Sequence, residues 1–183
     1  MRPHVELIHE DDYVWHGAEL VGGEGRASER RLSVDEEDGS SSLRVDFHTD
    51  WGRAPGVHHA NTEYYVLDGQ MTYGDQVIGK GGYLYAPKGV PVESLRFAEG
   101  TQILLYREYG DAGFDAGASR WSDAREDVIV IDTEAMEWNA VANPGPMPGL
   151  HIKYLHIDPE TGFYTRLVYA EAGWTDHRLA HHP

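Results

Sequence analysis

Cysteine is absent from the 183 residues. That excludes a disulfide scaffold, a thiolate zinc site and a cysteine nucleophile, and it suits a reducing compartment. Basic residues are scarce: 15 Lys and Arg stand against 31 Asp and Glu, a formal charge of −16. Such a surface repels phosphate backbones and anionic lipid, so neither nucleic acid nor a membrane is an expected partner. No apolar run approaches the roughly 20 residues of a membrane-spanning helix. The first ten residues mix Arg2, His4, Glu6 and His9 and lack an apolar signal core. A cytoplasmic location is therefore expected.

Helical periodicity is also scarce, and what is there points to strands. Glycine is plentiful, with 21 residues, and β-branched and aromatic segments recur at short intervals. They include Leu43 to His48, Glu63 to Leu67, Tyr83 to Ala86, Ile103 to Glu108, Leu150 to Ile157 and Tyr164 to Tyr169. Turn signals separate them, among them Asp38-Gly39, Asp68-Gly69, Gly74-Asp75 and Thr161-Gly162. This spacing predicts an all-β barrel or sandwich rather than βαβ units. Residues 110–127, rich in Gly, Ala, Asp and Ser, read as a linker between a domain over 1–109 and a segment over 128–183.

The chain repeats itself. Shifted by 123 positions, Trp15 falls on Trp138, Val5 on Val128, Leu32 on Leu155 and Trp51 on Trp174. Asp35, Glu37 and Gly39 fall on Asp158, Glu160 and Gly162, and His58-His59 on His181-His182, without a gap. The segment 128–183 thus reads as a partial second copy that stops soon after its His pair. Either the natural chain is longer, or the second copy has decayed to an appendage of the first. Asp35-x-Glu37-x-Gly39 and its copy each lie between two strands and read as hairpin turns, not calcium loops.

The candidate chemistry gathers at His58, His59 and Glu63, just before and within the apolar run Tyr64-Tyr65-Val66-Leu67. Imidazoles with a carboxylate suit a divalent Fe, Mn, Ni, Co or Zn ion. Adjacent strand residues face opposite ways, so His58 and His59 reach one ion only if the backbone bends there. A pocket or packed core of Tyr65, Tyr73, Tyr83, Tyr85 and Tyr106 is the alternative use of this region.

Two stretches here resemble a known family. Residues 52 to 69, with Gly52, His58, His59, Glu63 and Gly69, resemble the first cupin motif, G(x)5HxH(x)3,4E(x)6G. Gly81-Gly82-Tyr83-Leu84-Tyr85-Ala86-Pro87-Lys88-Gly89-Val90-Pro91-Val92 resembles the second, G(x)5PxG(x)2H(x)3N. The resemblance covers roughly residues 31 to 108, and with the repeat it extends to a bicupin whose second copy is cut short. It implies a small antiparallel, jelly-roll-like β-barrel, often a homodimer, holding a metal on three His and one Glu. The departures are specific. Counted back from Gly69 the ligand positions hold Gly56, His58 and Thr62; counted from Glu63 they hold Val57, His59 and Glu63. Val92 and Arg96 stand where the second motif has His and Asn.

The resemblance leaves several expectations open. One is a metal-dependent cupin enzyme of the dioxygenase or isomerase kind acting on a small molecule. In it His58, His59 and Glu63 hold the metal, and Glu93 and Tyr85 serve acid–base chemistry. Another is a non-catalytic, metal-free cupin that binds a small molecule, and a third is a structural half that pairs with another barrel. A second first-motif opening is also discernible at His177, His181 and His182.

Overall fold

The computed structural model describes residues 9, 12–108, 110–141 and 147–175. The cluster His177, His181 and His182 lies outside the described residues. The chain divides into two units, Met1–Asp132 and Thr133–Pro183. Among the described residues all strand pairings are antiparallel, and helix is confined to short 3-10 turns such as Thr133–Ala135. No helix among the described residues is long and apolar enough to cross a membrane.

The first unit is built on a seven-stranded sheet. Its order is Trp15–Gly17, Ala27–Val34, Ser41–Phe47, Gln102–Glu108, Asn61–Asp68, Gly82–Ala86 and Ile129–Asp132. A five-stranded sheet contains Trp51–Arg53, Leu95–Phe97 and Met71–Tyr73, and a three-stranded one contains Pro91–Val92, Gly56–His58 and Phe114–Ala116. The two-residue alternation of a strand sets which side chains meet. In Ser41–Phe47 every second residue is buried, which sends Leu43, Val45 and Phe47 inward. They meet Tyr64, Val66, Leu84, Ile103 and Leu105 of the same sheet, with Trp51, Met71, Leu95 and Phe97 from the smaller one. Each such fully buried side chain contributes roughly 1.5–3 kcal/mol of transfer free energy. The expected all-β, jelly-roll-like barrel is what the chain forms.

Residues 110–127 include Phe114–Ala116, which pairs with Gly56–His58, and Ile129–Asp132 pairs with Gly82–Ala86. Three-residue strands offer no periodicity to read, so this stretch shows only its loop-like composition in the sequence.

The turn at Gly69 illustrates how tightly the barrel closes. Its φ is +82°, and a Cβ there would lie 2.7 Å from Thr101 Oγ1, the oxygen that accepts the Gln70 N–H at 3.2 Å. Gly69→Ala is expected to cost about 1–3 kcal/mol, from left-handed strain and the clash together. Urea unfolding followed by circular dichroism measures it; an unchanged midpoint would contradict this account.

The second unit carries a three-stranded sheet, Asn139–Ala140, Leu150–Ile157 and Tyr164–Ala170. Its hairpin reproduces one from the first unit in register. Ala27 pairs with Phe47, and Leu150 with Ala170. The register slips between Arg31 and Ser33 in one, between Tyr154 and His156 in the other. Asp35 Oδ1 accepts the Glu37 N–H at 2.9 Å, and Asp158 Oδ1 the Glu160 N–H at 2.8 Å. Arg30 lies 4.4 Å over the Trp15 ring, as Lys153 lies 4.3 Å over Trp138. Every one of these pairs is separated by the same 123 positions. Both Asp–Gly segments are hairpin turns.

Candidate functional site

His58 closes the strand Gly56–His58, and the chain bends through His59 and Ala60 before Asn61–Asp68 begins. In the second strand Tyr64 and Val66 face the core, which puts Thr62 on the same inward face by alternation and Glu63 on the other. The inward register is therefore the one counted back from Gly69.

His58 is 5% exposed. Its ring meets Phe114 edge-on at 5.2 Å, and its Nε2 lies 3.4 Å from the Tyr64 hydroxyl. Arg53, 6% exposed, donates from Nη1 to that same hydroxyl at 3.3 Å. Its guanidinium sits 4.2 Å over the Phe114 ring. The other two guanidinium nitrogens, Nε and Nη2, are buried and have no hydrogen-bond partner. Burial holds the His58 imidazolium well below its usual range, and the charges of Arg53, Arg107 and His59 push the same way. Neutral His58 is the expected form at neutral pH.

His59 lies in a different setting. Its Nδ1 is 3.3 Å from Asp111 Oδ1, and its Nε2 is 3.1 Å from Asp115 Oδ2, the latter without hydrogen-bond geometry. Its ring tilts against Trp121 at 5.6 Å. Glu63, 9% exposed, accepts the Tyr83 hydroxyl proton at 2.8 Å. It pairs across the sheet with Tyr85 and Tyr106. Burial raises the Tyr106 phenol above its usual range, with the Glu63 charge adding to it. Tyr85 donates to Glu126 Oε1 at 2.7 Å. Glu93 is exposed, and its backbone N–H donates to the Tyr73 hydroxyl at 3.1 Å.

The structure thus gives His58, His59 and Glu63 three separate sets of neighbours, and sets Tyr85 apart from Glu93. Among the described residues no group of three or more His, Cys, Asp or Glu could hold a metal ion. The inward register explains this by residue type: Gly56, His58 and Thr62 supply one imidazole and no carboxylate, and Val92 adds none. Two guanidinium groups, Arg53 and Arg107, act electrostatically on that imidazole. A divalent cation needs three or more donors and a non-repelling field, so these residues do not fit one.

Sequence reasoning missed Arg53, Tyr64, Arg107 and Phe114 as site residues. A signal existed for the two arginines. Each occupies an inward position two residues beyond a buried apolar one, Trp51 before Arg53 and Leu105 before Arg107.

The family described as a domain of unknown function, DUF4437, matches residues 6–183. No curated protein matches the chain. Solved structures do. A candidate dioxygenase from Nostoc punctiforme PCC 73102 is similar with a TM-score of 0.71 and 21% identity, over 81% of this chain and 55% of that one. A candidate acetylacetone dioxygenase from Methylibium petroleiphilum PM1 has a TM-score of 0.50 and 19% identity, over 73% and 94%. A candidate glyoxylate-induced protein from Pseudomonas aeruginosa has a TM-score of 0.58 and 13% identity, over 85% and 58%. The chain therefore spans little more than half the length of the first and third of these. At such identities the likeness is one of fold, and the fold is the cupin fold.

Proposed function

The chain belongs to the DUF4437 family, and on that premise we propose that it is a cupin-type small-molecule-binding protein whose barrel works without a metal ion. The observation that carries this reading is the buried group Arg53, Tyr64 and His58 beside ligand positions that hold one imidazole and no carboxylate. A buried arginine with two unpartnered nitrogens makes the barrel interior a site for an electron-rich organic group, not for a cation. Tyr64 links the two basic side chains: its oxygen accepts from Arg53, and with neutral His58 in its Nε2–H tautomer it accepts there too, which leaves its own proton for a ligand. Such a hydroxyl can orient a ligand oxygen and exclude water. The register-matched hairpins support a bicupin origin, with 128–183 the remnant or opening of a second copy.

The competing reading is a divalent Fe, Mn, Ni or Zn ion held by His58, His59 and Glu63. Elemental analysis of untagged protein separates the two, with a His59→Ala/Glu63→Ala double variant beside it. Substoichiometric metal in both is expected. A stoichiometric metal in the parent that the double variant loses would overturn the metal-free reading and restore the enzyme.

A further inference from the structure

Among the described residues Arg53 has two buried side-chain nitrogens without a hydrogen-bond partner. Its guanidinium is always charged at physiological pH, it is 94% removed from solvent (6% exposed), and among the described residues no carboxylate pairs with it. Its one side-chain hydrogen bond among the described residues is the long one to Tyr64. Stacking over Phe114 offsets only part of the cost of burying a charge. The two unpartnered nitrogens are Nε and Nη2, which form one edge of the guanidinium with parallel N–H bonds. That edge matches the two oxygens of a carboxylate in a side-on, bidentate pair.

A second arginine occupies an inward position of the seven-stranded sheet. Arg107 follows the inward residues Ile103 and Leu105, and it lines a cavity of about 400 Å³ together with Glu29, Arg31, Ser41, Leu43 and Ala112. Glu29 is already engaged by Arg31 Nε at 2.8 Å. Burial holds the Arg107 guanidinium below its usual range, with the Arg53 charge pushing the same way and Glu29 opposing it.

We propose that the barrel binds a small organic carboxylate, clamped by the Nε–Nη2 edge of Arg53 beside the Tyr64 hydroxyl. This rests on the small-molecule reading above and names the ligand's chemical class. A planar carboxylate satisfies both orphan N–H groups at once. Neutral His58 adds a ring nitrogen beside the same hydroxyl and no competing charge.

The test follows the melting temperature of the full chain, dialysed against a chelator, in sodium malonate and sodium acetate. Sodium chloride keeps ionic strength constant, and inorganic phosphate forms a third arm. A saturable rise with malonate or acetate is expected, because binding to the folded state alone stabilises it. Arg53→Lys keeps the charge but loses the fork, so its half-saturating concentration rises about 10-fold or more. Arg53→Met abolishes the response and melts no lower than the parent, since it removes an unpaired buried charge. If that variant fails to fold, Arg53→Lys carries the test. No saturable rise in the parent, a response unchanged in both variants, or a response to phosphate alone would overturn the proposal. Metal content of the same preparation, measured before the chelator is applied, reports separately on the underlying reading. Stoichiometric metal with an Arg53-dependent malonate response removes the metal-free reading and leaves the clamp, whereas metal-free protein without that response removes the clamp alone.

Discussion

Phe97→Ala is expected to lower stability by about 3–5 kcal/mol, the largest single effect among the substitutions considered. The ring is 1% exposed. It stacks on Phe47 at 4.4 Å and tilts against Trp51 at 5.8 Å and Tyr64 at 5.9 Å. Truncation leaves a void between the two sheets that three aromatic rings cannot fill without leaving their rotamers. For a domain of this size the melting temperature falls by roughly 10 °C. Urea unfolding should show a lower midpoint with an unchanged slope. The exposed Val77→Ala, on the same sheet, should stay within about 0.5 kcal/mol of the parent. Similar losses in the two variants would mean that this core is not where the barrel's stability lies. Because Phe97 packs on Tyr64, malonate binding should weaken with it even where the variant remains folded.

The second large effect is a loss of stability on mild acidification. His58 has a usual value of 6.5 in the unfolded chain and sits well below it in the folded one. Between those two values the unfolded state binds the extra proton, so stability rises with pH. The folded state thus holds its full advantage above about pH 6.5 and loses it as the pH falls towards the folded value. The slope is about 1.4 kcal/mol per pH unit for one proton. Burial is the main cause, and Arg53, Arg107 and His59 add repulsion. His58→Gln keeps a hydrogen-bond partner for Tyr64 and has nothing to titrate. Unfolding free energies between pH 5 and 7 should therefore lose about that slope in the variant. Identical slopes in parent and variant would show that His58 is not the group responsible.

Much of the fold is legible in the sequence because strand alternation and turn chemistry are local. The run Tyr64-Tyr65-Val66-Leu67, the Gly69 turn and the Leu43 to Phe47 alternation all read directly as an antiparallel strand pattern. The parity of His58 and His59 is equally local, and the two rings do face different neighbours even though the chain bends between them. Arg53 is another matter. Its isolation depends on Phe114 arriving from sixty residues away in a three-residue strand, inside a stretch whose composition resembles a linker. No periodicity announces that contact. Nor does any motif reveal that Glu63, one residue out of phase with the Gly69 count, turns to Tyr83 on the outer face.

The duplicated hairpin bears on how the chain folds. Its partners lie within about twenty residues of each other, so loop closure costs little and pairing takes on the order of 1–10 μs. The pairing of Ser41–Phe47 with Gln102–Glu108 spans some sixty residues and must follow. Each half of the chain therefore carries its own early nucleus with the same turn and the same register slip. Two interchangeable nuclei invite strand exchange, the characteristic misfolding route of repeated sequences. Divergence between the copies works against it. Arg166, Val168 and Ala170 occupy the places of Leu43, Val45 and Phe47. An exchanged strand would carry a guanidinium into the centre of the first core and leave a void where Phe47 meets Phe97. The wrong pairing thus begins as readily as the right one but cannot be completed.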